Sequence, residues 1–127
     1  TAGADVTLDV VLGPRTDWFT PEAVALLRSQ RWQVTPQSNR VGIRLAGETP
    51  LARAVTGELP SEGTPTGAIQ VPPSGQPVLF LADHPLTGGY PVIGAVASYH
   101  LDRAGQIPVN AWVRFNPVTA FEPVVRE

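Results

Sequence analysis

The residues best equipped for chemistry lie together in GQPVLFLADHPLTGGYP, residues 75–91. An apolar run, Val78 to Ala82, stops at Asp83 and His84; Thr87, Gly88, Gly89 and Tyr90 follow. A carboxylate accepts an N–H or holds a proton. Bare glycine lets a ligand approach backbone amides, and an aromatic ring can cover a flat ligand. A buried strand ending in this way is expected to open into a pocket, with Asp83 as the candidate catalytic group. The competing reading is a polar tight turn. In it Asp83 caps the amide two residues on, and the glycines only supply positive φ.

Strand pairing extends the candidate site. A hairpin of TGAIQV and PVLFLAD across PPSG, with Val71 opposite Gln76, sets Gln70 opposite Pro77 and Thr64 opposite Asp83, with Glu62 nearby. The expected site is then Glu62, Thr64, Asp83, Thr87, Gly88, Gly89 and Tyr90. Two carboxylates at close range would hold one proton between them and could work as an acid/base pair. Gln70 shares the face of Asp83 but is about six pairs, roughly 20 Å, away along the strands. It joins the site only if a bulge or strong coiling intervenes.

Other chemistries find little support. His84 and His100 are the two histidines and there is no cysteine. Without a second ligand at metal spacing, no metal site is expected. TGGYP has no Lys or Ser/Thr at phosphate-loop spacing, and Ser38, Ser61, Ser74 and Ser98 lack a nucleophile-elbow context.

These residues need a scaffold. The 127-residue chain is 43% hydrophobic, enough for one domain with a core. Its 14 prolines and 12 glycines fall mostly between apolar runs and read as turns between short strands. About seven or eight strands are expected, needing closure into a barrel or sandwich. One principal helix is expected over Pro21 to Ser29, with Thr20 as N-cap, and a short helical stretch over His100 to Gly105. NRVGIRLAG predicts a strand alternating at Val41, Ile43 and Leu45. Residues 1–5 read as a linker or trimmed end and 6–127 as one domain. The net charge is −2 with no lysine, so nucleic acid is not an expected partner. No apolar run reaches the ~20 residues of a membrane helix. A cytoplasmic location is compatible with this composition.

VLGPRTDWFT, SNRVGIRL, ELPSEGTPTGAIQVPPSGQP and LADHPLTGGYPVIG resemble, in order, one family. It is variously called allophanate hydrolase subunit 2, biotin-dependent carboxyltransferase domain, the C subunit of 5-oxoprolinase, or KipA. The resemblance implies a mainly β, cyclophilin-like closed barrel. It also implies that the chain is the C-terminal half of a longer one, in keeping with its lack of methionine. The implied partners are the missing N-terminal half and a first subunit (KipI-like, the B subunit of 5-oxoprolinase). ATP or biotin would serve the full complex, with no cofactor held by this domain alone. His84 stands where relatives often carry Arg, which puts in doubt any role needing a fixed cation there. IPVNA, at 107–111, departs from the usual L-R-P-G-D, away from the site.

Two functions are expected from that resemblance. One is a component of a 5-oxoprolinase or carboxyltransferase, binding a small cyclic amide or urea-like group and inactive alone. Asp83 would accept from the ligand N–H, the amides of Gly88 or Gly89 would donate to its carbonyl, and Tyr90 would cover the ring. The other is a regulatory module binding a kinase-inhibitor-type partner, for which an exposed apolar patch would speak. Prolyl isomerase activity does not follow from the barrel, because fold does not carry function.

Overall fold

The computed structural model describes residues 5–13, 15–55, 62–82 and 87–118, and of Glu62 the backbone only. The first strand, β1 (Asp5–Leu12), carries Leu8 and Val10 fully buried on one face. Asp5, placed by the sequence reading in the terminal stretch, opens this strand. A 3-10 turn at Thr16–Trp18 leads into α1 (Pro21–Ser29). The Thr20 hydroxyl accepts from the Ala23 amide at 3.1 Å, Pro21 occupies the first turn, and Glu22 and Arg28 sit at the helix ends that suit their charges. Ala23 and Leu27 face the core. Thr20→Ala is expected to destabilise the fold by about 1 kcal/mol, the usual worth of an N-cap, read as a lower urea midpoint at unchanged slope.

The remaining elements are β2 (Trp32–Val34), β3 (Gly42–Ala46), β4 (Glu62–Gly63), β5 (Ala68–Gln70), β6 (Val78–Phe80), β7 (Thr87–Gly88) and β8 (Val92–Val96). A 3-10 turn at Ser98–His100, α2 (Leu101–Ala104) and β9 (Trp112–Pro117) follow. Seven strands form a closed barrel in the order β1-β8-β5-β6-β3-β2-β9, sealed by the parallel pairing of β1 with β9. Strands β4 and β7 form a separate two-stranded ribbon. The mainly β, closed-barrel expectation is borne out. Closure satisfies backbone groups that an open sheet of this size would leave at its edges.

Alternation fills the barrel. Leu8, Val34, Leu45, Ile69, Leu79 and Phe115 belong to the main buried cluster. Two local expectations change. Val41 precedes β3 and is 41% exposed, so the inward set on that strand is Ile43 and Leu45. The run Val78–Ala82 is strand only through Phe80: its first three residues are buried, Leu81 is half-buried and Ala82 is exposed at a turn. The hairpin register also differs by one residue. Gln70 pairs with Val78, and Gly75, at φ +80°, closes the turn by donating to the Pro72 carbonyl at 2.9 Å. Gly75 also lies under Pro50 and Leu51: a Cβ there would be 2.6 Å from Pro50 Cβ.

A polar network pins β1 to the segment after β8. The Asp9 carboxylate accepts from Asn116 Nδ2 at 3.0 Å and from the Tyr99 hydroxyl at 2.7 Å, while His100 Nδ1 accepts from the Asp9 amide at 2.8 Å. The bonds from Asn116 and Tyr99 hold the Asp9 carboxyl below its ordinary value of 3.8. The same contact with Asp9 raises the Tyr99 hydroxyl. For a lowered carboxyl, the folded state binds the proton less readily than the unfolded chain. The stabilisation is therefore fully present above the unfolded value and lost as pH falls through the lower folded one. The urea midpoints of the native chain and Asp9→Asn should accordingly converge below about pH 4. A gap that is constant from pH 6 to 3 would show that the charge on Asp9 is not what the network stabilises.

Candidate functional site

The outer face of β5, β6 and β8 carries a second, smaller core of Ala68, Val78, Phe80 and Val92. On β5, Ile69 points into the barrel, so Ala68 and Gln70 point outward by simple alternation. Outward residues of a barrel are ordinarily wet, yet Gln70 is only 7% exposed. The ribbon lies against this residue. A Cβ on Gly88 would run into Gln70 Nε2, and it would come within 3.4 Å of Thr64 Cγ2. Thr64, the residue after β4, is 6% exposed. In the ribbon itself Glu62 pairs with Gly88 and Gly63 with Thr87.

Of the residues expected in the site, Gln70 thus lies beside Gly88, with Thr64 close to both; its expected separation of about 20 Å from Asp83 concerns a residue outside the described ones. The β5–β8 register slips between Ile69 and Gln70, so that Ile69 pairs with Gly94 and Gln70 with Val92. The chain between β7 and β8 is short, and the Val71 amide donates to the Pro91 carbonyl at 3.0 Å. Gly88, four residues ahead of Val92, is thereby held beside Gln70.

Other expected members stand as follows. Thr87 and Gly89 are exposed, and Tyr90 is 44% exposed on the segment leaving the ribbon. Asp83 and His84 lie outside the described residues, as does the side chain of Glu62. The polar signal that merited more weight was Gln70 itself: one carboxamide in AIQV, on a strand whose other face is core.

A carboxamide offers a donor and an acceptor side by side. That of Gln70 has its Nε2 against Gly88. A different hollow, of about 630 Å³, is lined by Arg40, Thr66, Leu81, Ala82, Leu101 and Asp102 among others. None of Gln70, Gly88 or Tyr90 lines it.

Residues 1–117 match the family model described as carboxyltransferase domain, subdomain A and B. The chain belongs to that family. It is 40% identical over 84 residues to the C subunit of Escherichia coli K12 5-oxoprolinase, covering 66% of this chain and 27% of the relative. It is 33% identical over 123 residues to urea amidolyase of Lachancea kluyveri, covering 89% of this chain and 7% of that one. The crystal structure of the K. lactis urea amidolyase superposes with a TM-score of 0.85 at 26% identity, over 92% of this chain and 8% of that one. The chain thus spans about a quarter of the 5-oxoprolinase component it resembles and a small part of the urea amidolyases. In this carboxyltransferase-family barrel the Gln70–Gly88 face lies on the outside, against the β4–β7 ribbon. No described helix is long and apolar enough to cross a membrane.

Proposed function

We propose that this carboxyltransferase-family domain binds a small cyclic amide or urea-like group and acts within a larger 5-oxoprolinase- or urea amidolyase-type assembly. The observation that carries this reading is the match of residues 1–117 to that family, with the outward carboxamide of Gln70, only 7% exposed, set against Gly88. A lactam or ureido ring presents an N–H and a C=O along one edge and needs an acceptor and a donor in return. Backbone amides at Gly88 and Gly89 are further donors for developing charge on the carbonyl oxygen. Asp83 remains the N–H acceptor proposed from the sequence.

A biotin ureido ring has the same edge, and the Gln70 carboxamide fits it; when bound, biotin would supply a carboxyl group for transfer. ATP, if used, would be held by the rest of the assembly: the described residues offer no glycine-rich phosphate loop and the chain has no lysine. The rest of the longer chain and a first subunit would complete the active assembly. The regulatory-module reading gains no comparable support.

The test is calorimetric titration of the domain, alone and assembled with its partner subunit, against 5-oxoproline, biotin and ATP. Binding of 5-oxoproline or biotin by the assembly, with turnover absent from the isolated domain, is expected. An assembly that binds neither 5-oxoproline nor biotin overturns the proposal.

A further inference from the structure

We propose that Arg53 and the hollow it borders form a binding site for a small organic carboxylate, separate from the Gln70–Gly88 face. The hollow, of about 450 Å³, is lined by Pro50, Leu51, Ala52, Arg53, Pro73 and Ser74. It lies at the PPSG turn, and neither Gln70 nor Gly88 lines it.

The charge is what calls for a partner. A guanidinium is always ionised and carries five N–H donors. Arg53 Nη1 is shut off from solvent and has no hydrogen-bond partner. Among the described residues Arg53 makes no salt bridge. Its Cζ lies 5.8 Å from the centroid of the Trp18 ring, a contact that steadies the cation but does not neutralise it. A donor withdrawn from water and left unmatched costs stability, and a charge screened less by water attracts an anion more strongly.

The segment that carries Arg53 is fixed from two sides. Arg53 bridges to Phe19, the Ala54 amide donates to the Trp18 carbonyl at 2.8 Å, and the Thr20 amide donates to the Ala52 carbonyl at 3.2 Å. On the other side the Leu51 amide donates to the Gly75 carbonyl at 2.9 Å, which ties the segment to the PPSG turn. The two walls of the hollow are thus held in place before any ligand arrives, which lowers the ordering cost of binding.

The walls select the ligand. One guanidinium balances one negative charge, and its planar fork matches the two oxygens of a carboxylate. Ser74 Oγ accepts from the Gln76 amide at 3.3 Å, so its O–H remains to donate. Pro50, Leu51 and Pro73 offer apolar surface to a short carbon chain. A phosphate dianion calls for a second cation, and Arg53 is the one cation among the described lining residues. The volume falls in the range of small-molecule pockets.

The experiment is ligand-observed NMR titration of the full-length chain assembled with its partner subunit, and of the 127-residue chain alone. The probes are propionate, its neutral isostere propionamide, and inorganic phosphate. Both proteins should bind propionate at least about tenfold more tightly than propionamide or phosphate. Arg53→Gln should weaken propionate by about 10- to 100-fold and erase its advantage over propionamide. Arg53→Lys keeps the charge without the fork and should recover part of the loss. Glu58→Gln, which removes an acid outside the described residues, should leave propionate affinity unchanged.

Equal binding of propionate and propionamide, or tighter binding of phosphate, overturns the proposal. So does a tenfold gain in propionate affinity in Glu58→Gln, which would show that the chain's own carboxylate fills the site. Binding by the 127-residue chain but not by the assembly also overturns it, because the hollow is then covered by the rest of the assembly. The comparison of probes uses native protein, so it decides the matter even if an Arg53 variant does not fold.

Discussion

Trp32→Ala is expected to destabilise the domain by about 3–5 kcal/mol, the range for truncating a fully buried large aromatic. Trp32 has no exposed surface and belongs to the main core. Its indole Nε1 donates to the Leu27 carbonyl at 3.3 Å. Its ring also lies on Gly47: a Cβ there would be 2.6 Å from Trp32 Cε3. The cavity left by alanine is therefore bounded by backbone on one side and a helix on the other, and neither can collapse cheaply. Trp32→Phe should cost less, about 1–3 kcal/mol, since most of the ring volume stays but Leu27 loses its donor. Urea denaturation measures both. A loss below about 1.5 kcal/mol for alanine would show that the neighbours close over the space.

Leu79→Ala should cost roughly 2–5 kcal/mol. Leu79 is the inward residue of β6, fully buried, and pairs with Ile43 on β3 and Ile69 on β5. It holds the centre of three consecutive barrel strands. Leu81→Ala, two residues on in the same apolar run, should cost clearly less, because Leu81 is half-buried and lies past the end of the strand. The pair tests where the strand stops. Equal losses would mean that the covered region extends through Leu81, and a loss under about 1 kcal/mol at Leu79 would show that β6 is not central.

The helix was legible to the residue, because Thr20, Pro21 and the Ala23–Leu27 spacing are local signals that agree with one another. The barrel was legible as a class, from short apolar runs separated by proline and glycine. Register was not. A shift of one residue in the PPSG hairpin turns on which groups close the turn, and here the Gly75 amide reaches Pro72. Of the candidate site, the sequence shows the residue types but not their placement. Thr87 and Gly88 stand together in the motif and Thr64 follows from strand pairing, but the contact of Gly88 with Gln70 could not be read, because it depends on a bulge and on a two-residue ribbon. Strands as short as β4 and β7 have no periodicity to detect; tertiary context alone forms them.

Parallel pairing of the first and last barrel strands bears on how the domain comes into being. Asp5 sits opposite Trp112 and Val10 opposite Pro117. The seam thus joins residues more than a hundred positions apart and cannot be made until nearly all of the barrel has been synthesised. Until then β1 has only β8 beside it, and β2 only β3. The entropy of closing so long a loop must be met before the seam contributes anything, which places the domain among slow folders of high contact order. A nascent chain halted before Trp112 would present two open strand edges, the surface on which chaperones and neighbouring nascent chains compete.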